Sequence, residues 1–135
     1  MPGLHWVNGM KIVVDSSIII DYLRGGKKWD DFIDSVERNT QLFLPTVVIF
    51  ELFSGSSTRN GRKLQKMIAF IREFQRIDLS ENIARVAGEL FRDAKIKIQA
   101  ADYIIAASAL EIGGAVVTLN KKHFQQIPGI SIYPL

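Results

Sequence analysis

The stretch KIVVDSSIIIDYLRGG, Lys11 to Gly26, decides the fold. Its first four residues read as a short buried strand. A helix is expected over 17–24, and Gly25–Gly26 stop it. Asp15 stands between strand and helix, inside an otherwise apolar run. An ionised carboxylate there is costly unless it is paired, capped or bound to a cation.

Outward from this stretch the pattern alternates. Asp30–Asn39 reads as a helix with Phe32, Ile33 and Val36 on one face. Gln41–Leu44 reads as a strand ended by Pro45, with Thr46 as N-cap of a helix through Phe53. Residues 54–61 are expected to form a loop. Leu64, Met67, Ile68 and Ile71 recur at i, i+3, i+4, i+7, which predicts a helix over 61–74. Arg76–Leu79 reads as a strand. Ser80 is placed to cap a helix whose apolar face is Ile83, Val86, Ala87, Leu90, Phe91 and Ala94. Ala100–Ile112 is apolar almost all round, the mark of a buried helix ended by Gly113–Gly114. Ala115–Thr118 is a strand, Lys121–Gln125 a single turn and Ile130–Tyr133 a last strand. Short apolar strands alternating with helices imply an α/β fold with a central parallel sheet covered by helices. Such sheets bind ligands beyond the carboxyl ends of their strands, where Asp15 lies.

The chain has 135 residues, of which 47% are hydrophobic. That suits one domain with one core and excludes a disordered chain. Residues 1–9, MPGLHWVNG, read as a flexible leader to a domain over 10–135, with Met10 a second candidate start. No apolar run reaches the roughly 18–20 residues of a membrane span, so no membrane association is expected. No export leader is recognisable. Cys is absent, which removes disulfides, thiolate metal sites and Cys nucleophiles and fits a cytoplasmic protein. The net charge of +3 admits an anionic partner but is a weak signal by itself.

Two more acids share the odd setting of Asp15. Glu51 is one charge within TVVIFELF, and Asp102 lies within AADYIIAASAL. Structural roles compete for each. Asp15 would cap the helix after it, Asp102 would gain from a helix N-terminus, and Glu51 could reach solvent. Jointly these roles lose ground, because all three acids fall after or near strand ends. Two carboxylates ~5 Å apart repel by roughly 3 kcal/mol at an effective dielectric near 20. Convergence therefore requires a proton or a cation. Oxygen-only ligands suit Mg²⁺ or Mn²⁺ rather than zinc. A hard cation in such a site polarises a phosphoryl oxygen and activates water, which is hydrolytic nuclease chemistry.

The pieces VVDSSIIIDYL, FEL around Glu51, AADYIIAASAL and VVTLNKKHFQQIPGISI occur in the order of a known family. The chain resembles PIN-domain ribonucleases, in particular the toxin half of VapBC-type toxin–antitoxin pairs, over residues 11–134. The resemblance implies a parallel sheet flanked by helices and Mg²⁺- or Mn²⁺-dependent cleavage of RNA, tRNA or another structured RNA. It puts Asp15, Glu51 and Asp102 at the family's metal-binding acid positions. Ser16 or Ser17 would orient metal ligands or a phosphate, and Thr118 would hold the last strand end. Asn120 departs from the pattern, since an acid is common there; it keeps a carbonyl oxygen for the metal but loses a charge. The resemblance further implies a homodimer and a cognate antitoxin that sets a basic side chain near the acids. Part of that contact is expected on the helices around 46–74.

Lys121, Lys122, His123 and Arg24 are the candidate RNA contacts, the first three because they follow Asn120. Arg59, Arg62, Lys63 and Lys66 recur at helical spacing and would share a face able to track phosphates, although such a stripe is more often solvated. Tyr22 and Trp29 could stack on bases, but packing is the commoner role. Two other functions compete. A catalytically weak or inactive PIN-like module would bind RNA or protein without cutting, and Asn120 is its support. A phosphoryl-accepting domain also uses an Asp after a strand, but the dehalogenase-like pattern wants a second Asp where Ser17 stands.

Overall fold

The computed structural model describes residues 9–135. Of the expected leader, only Gly9 falls among them. Five strands form one parallel sheet: β1 (Lys11–Val14), β2 (Gln41–Pro45), β3 (Gln75–Ile77), β4 (Ala115–Val117) and β5 (Ser131–Ile132). Their order is β3-β2-β1-β4-β5. The helices are α1 (Ser16–Leu23), α2 (Lys28–Ser35), α3 (Thr46–Ser54), α4 (Gly61–Ile71), α5 (Glu81–Asp93), α6 (Ala100–Ile112) and α7 (Lys121–Gln125). The α/β fold with helices flanking a parallel sheet is thus the one expected.

β1 is the centre of the sheet. Its consecutive residues Ile12, Val13 and Val14 are all fully buried. Successive side chains point to opposite faces, so both faces of the sheet are covered. The chain leaves β1 toward β2 and β3, then returns to the other side for β4 and β5. The order therefore reverses between β1 and β4. Open α/β sheets form a crevice at such a reversal, beyond the carboxyl ends of the two strands. The ladder runs one step past the strands, since the Asp15 amide donates to the Val117 carbonyl at 3.1 Å.

The buried helix is α6, with Asp102, Tyr103, Ile105, Ala106, Ala107, Ser108 and Ala109 inside. Gly113 ends it in the left-handed conformation, φ 68°. At Gly114 a Cβ would stand 2.8 Å from the Lys11 carbonyl oxygen, so the chain can pass β1 only without a side chain. Trp29 is buried in the first turn of α2 within an aromatic cluster that includes Phe32, Phe70 and Phe74. Tyr22 stacks on Phe70. Both residues pack within the fold.

Several boundaries differ from expectation. Thr46 is not a cap. Pro45 holds the cap position in extended geometry, no side chain caps α3, and Thr46 is already helical. α2 stops at Ser35 because Val36 turns extended. The expected loop at 54–61 contains a 3-10 turn, Ser56–Arg59. α4 ends at Ile71 rather than 74. The Arg76 guanidinium explains this, donating to the Ile71 and Phe74 carbonyls at 2.7 and 2.8 Å and closing the helix end. Ser80 caps α5 as expected, through the Ile83 amide.

Candidate active site

Asp15 caps α1 and is only 2% exposed. Its Oδ2 atom collects the contacts. Ser17 Oγ donates to it at 2.7 Å and Thr118 Oγ1 at 2.8 Å, with the Ser17 amide further off at 3.4 Å. Both hydroxyls then accept from the backbone at 2.9 Å, Ser17 from the Leu119 amide and Thr118 from the Asn120 amide. Each hydroxyl proton is thereby committed to the carboxylate. The chain after β4 is tied to the chain after β1 through one oxygen. Among the described residues no hydrogen bond reaches Oδ1. The capping role and a ligand role are compatible, because they use different oxygens.

Glu51 is on α3, whose cap is the last residue of β2. It is half-buried, and its Oε1 is fully enclosed without a hydrogen-bond partner. Its carboxyl is pushed up to about 7, first by burial and then by the charge of Asp15, with a smaller push from Asp102. The Ser16 hydroxyl pulls in the opposite direction. Asp102 lies in the first turn of α6 and is 6% exposed. Burial and the Asp15 charge raise its carboxyl, while His123 opposes them. His123 Nδ1 stands 3.3 Å from Asp102 Oδ2. The three acids thus feel one another's charge across the crevice. They are not gathered into a closed cage: among the described residues no three His, Asp or Glu side chains stand close enough to enclose a metal ion.

The other predicted residues fall as follows. Asn120 is exposed, precedes α7 and makes no capping bond with its side chain. Lys121 donates to the Leu135 carbonyl at 3.1 Å, so its ammonium is engaged at the chain terminus. Lys122 is exposed. Arg24 is exposed at the end of α1 and lines a cleft of about 960 Å³ that also reaches Glu51. Arg59 sits on the 3-10 turn rather than on α4, so the four-residue basic stripe is broken; Lys63 and Lys66 line the same cleft and Arg62 does not. Sequence reading named Ser17 and Thr118 as supporting residues but did not bring both onto one oxygen of Asp15. The signal was present in the serine of DSS and the threonine of VVTLN, whose pairing only strand order could reveal.

The PIN domain family model matches residues 12–130. The chain belongs to the PIN-domain family, in its VapC-like toxin–antitoxin branch. It is 33% identical over 116 residues to Ribonuclease VapC10 of Mycobacterium tuberculosis, covering 84% of this chain and 85% of that protein. It is 30% identical over 135 residues to Ribonuclease VapC1 of Rickettsia felis, covering 91% and 95%. Among solved structures, VapBC2 of Rickettsia felis, bound to a DNA fragment from its promoter, superposes with a TM-score of 0.80 at 22% identity, over 92% of this chain and 98% of that one. DNA-bound VapBC of Salmonella typhimurium superposes at 0.79 and 22%, over 92% and 97%. At that identity the superpositions speak for the shared PIN-domain fold. Among the described residues no helix is long and apolar enough to cross a membrane.

Proposed function

We infer that this PIN domain is the toxin of a toxin–antitoxin pair and hydrolyses RNA phosphodiesters, tRNA or another structured RNA, at the crevice between β1 and β4. The observation that carries the reading is the buried, unpartnered Oε1 of Glu51 facing two further acids. An enclosed carboxylate oxygen without a donor needs another compensation, and a cation supplies it. The donor set is all oxygen, which fits Mg²⁺ or Mn²⁺. Asp15 through Oδ1, Glu51 and Asp102 would hold the ion, with the Asn120 carbonyl as a neutral fourth donor.

When bound, such a cation supplies Lewis-acid polarisation of the phosphoryl oxygen and a more acidic water. The chain's own residues do the rest. Ser17 and Thr118 fix the Asp15 carboxylate, so that its free oxygen keeps one direction. Glu51 would lie beside the reacting water, where a carboxylate can take up its proton. His123 orients Asp102. Burial of Asp15 and Asp102 keeps water from solvating the acids in the place of substrate. The family relationship supports two partners, a second copy of this chain and a cognate antitoxin. Exposed Phe50 and Phe53 on α3 and Ile68 on α4 offer apolar surface for such contacts.

A second reading, a catalytically weak or inactive module that binds RNA or protein, is favoured by two observations. The acids do not form a closed cage among the described residues, and Asn120 lacks the fourth charge. One experiment separates the readings. Purified protein is incubated with total tRNA in Mg²⁺, Mn²⁺ or EDTA, beside Asp15→Asn and Asp102→Asn. Discrete fragments that need metal and vanish in both variants support the nuclease. RNA left intact by the wild type under every metal moves the non-cutting module ahead.

A further inference from the structure

Residue 120 is set between two acids by its own backbone. Its amide donates to Thr118 Oγ1 at 2.9 Å, and that hydroxyl donates to Asp15 Oδ2 at 2.8 Å. Its carbonyl accepts from the His123 amide at 3.1 Å, and His123 Nδ1 stands 3.3 Å from Asp102 Oδ2. The Leu119 amide, one residue back, is held by Ser17 Oγ, the other hydroxyl on Asp15. The main chain at 119–120 is therefore fixed relative to Asp15 on one side and Asp102 on the other. The side chain is not fixed. Asn120 is exposed, its side chain caps nothing, and its amide group makes no hydrogen bond among the described residues. A free side chain on a backbone held beside two acids adds its charge, or its lack of charge, to their field.

What Asn120 brings is an oxygen without a charge. Ionised, Asp15, Glu51 and Asp102 carry one negative charge each. A single divalent cation leaves one of those charges over. A second would leave the crevice net positive, and it would be held weakly until a further anion balanced it. No neighbour makes up the difference. The stretch Leu119–Gln125 contains no Asp or Glu and carries Lys121 and Lys122, so its own charge opposes a second cation.

We propose that Asn120 limits the crevice of the free protein to one firmly held divalent cation. The inference rests on the cation reading given above, but its test reads binding and not cleavage. Metal-free protein is titrated with Mn²⁺ at one neutral pH, and the unbound ion is measured by electron paramagnetic resonance. The wild type should show one firm Mn²⁺ per chain, and Asp15→Asn should lose it. Asn120→Asp should add a second firm Mn²⁺. A unit charge ~5 Å from a divalent cation is worth about tenfold in affinity even at the dielectric of water, so the second step should tighten by at least that factor. Gln41→Glu adds the same charge at the opposite end of the sheet and should leave the titration unchanged. Circular dichroism melts confirm that each variant is folded.

An Asn120→Asp titration that overlays the wild type in count and affinity overturns the proposal, even if the wild type cuts tRNA. Two firm sites in the wild type overturn it as well. A gain that Gln41→Glu reproduces also overturns it, because net charge alone would then be the cause. Absence of Mn²⁺ binding in every form overturns the proposal and the nuclease reading together. One Mn²⁺ held through Asp15, with a second gained only in Asn120→Asp, supports the proposal; if that protein never cuts RNA, the nuclease reading alone falls.

Discussion

Glu51→Gln is the substitution that tests whether the acids share one field. In the folded protein the Glu51 carboxyl is pushed up to about 7 from 4.5, by burial first and the Asp15 charge second. Between those two values the folded form holds a proton that the unfolded form releases. Stability therefore falls as pH rises through this window and levels off above it. A shift of that size corresponds to an upper bound of about 3.4 kcal/mol at 1.36 kcal/mol per unit. The side chain is only half-buried, and solvent screening cuts the figure to about 1–2 kcal/mol. The variant has no charge to lose. In EDTA it should match the wild type near pH 5 and exceed it at pH 8 by about 3–8 °C in Tm, given the usual conversion for a domain of this size. Thermal unfolding by circular dichroism from pH 5 to 8.5 measures the difference between the two proteins, which cancels other groups such as Asp102. Mn²⁺ at pH 8 should then raise the Tm of the wild type and move the variant less. A variant no more stable than wild type at pH 8, or one with an unaltered pH profile, would refute the shared field.

Three other outcomes follow from the geometry. Thr118→Val removes one of the two hydroxyls on Asp15 Oδ2 and leaves the Asn120 amide without its acceptor; urea unfolding should show a loss of about 1–3 kcal/mol. His123→Gln removes the group that holds the Asp102 carboxyl down, so the Asp102 titration followed by carboxyl-carbon NMR should move further upward. Gly114→Ala puts a Cβ 2.8 Å from the Lys11 carbonyl oxygen, and its denaturation midpoint should fall markedly while Gly61→Ala, with open space around it, should not.

Much of the fold was legible because its central strands β1 and β4 are apolar and its helices periodic. The sheet centre and the buried helix α6 follow directly from KIVV and AADYIIAASAL. The boundaries that failed share a cause. Thr46 looked like a cap, but Pro45 had taken the extended position before it. α4 stopped early because the Arg76 side chain, after the helix, caps its end. The basic stripe was broken because Arg59 belongs to a turn that periodicity cannot see. Each failure is a short-range feature beside the helix end, a proline, a turn or a returning arginine, that helical periodicity does not register. The three acids stood out for the opposite reason, since a lone charge in an apolar run conflicts with its surroundings. What the sequence could not supply is distance. It placed the acids at strand ends but not their open spacing, nor the His123–Asp102 contact.

The hydroxyl clamp explains why the crevice tolerates Asp15 at all. Two donors and the α1 amide face one oxygen, so half of the carboxylate is satisfied from within the fold. Glu51 has no such provision for Oε1, and its carboxyl shows the consequence by rising toward neutrality. The two acids are therefore unequal. Asp15 is a fixed point, held by the same bonds that join β1 to β4. Glu51 is the adjustable charge, on a helix whose start is capped by no side chain. A site built only for stability would have placed donors against both Glu51 oxygens, where only the Ser16 hydroxyl serves the carboxyl and Oε1 has none, or replaced the acid with an amide. An uncompensated acid kept next to a compensated one is instead the arrangement expected where an incoming cation or proton completes the set.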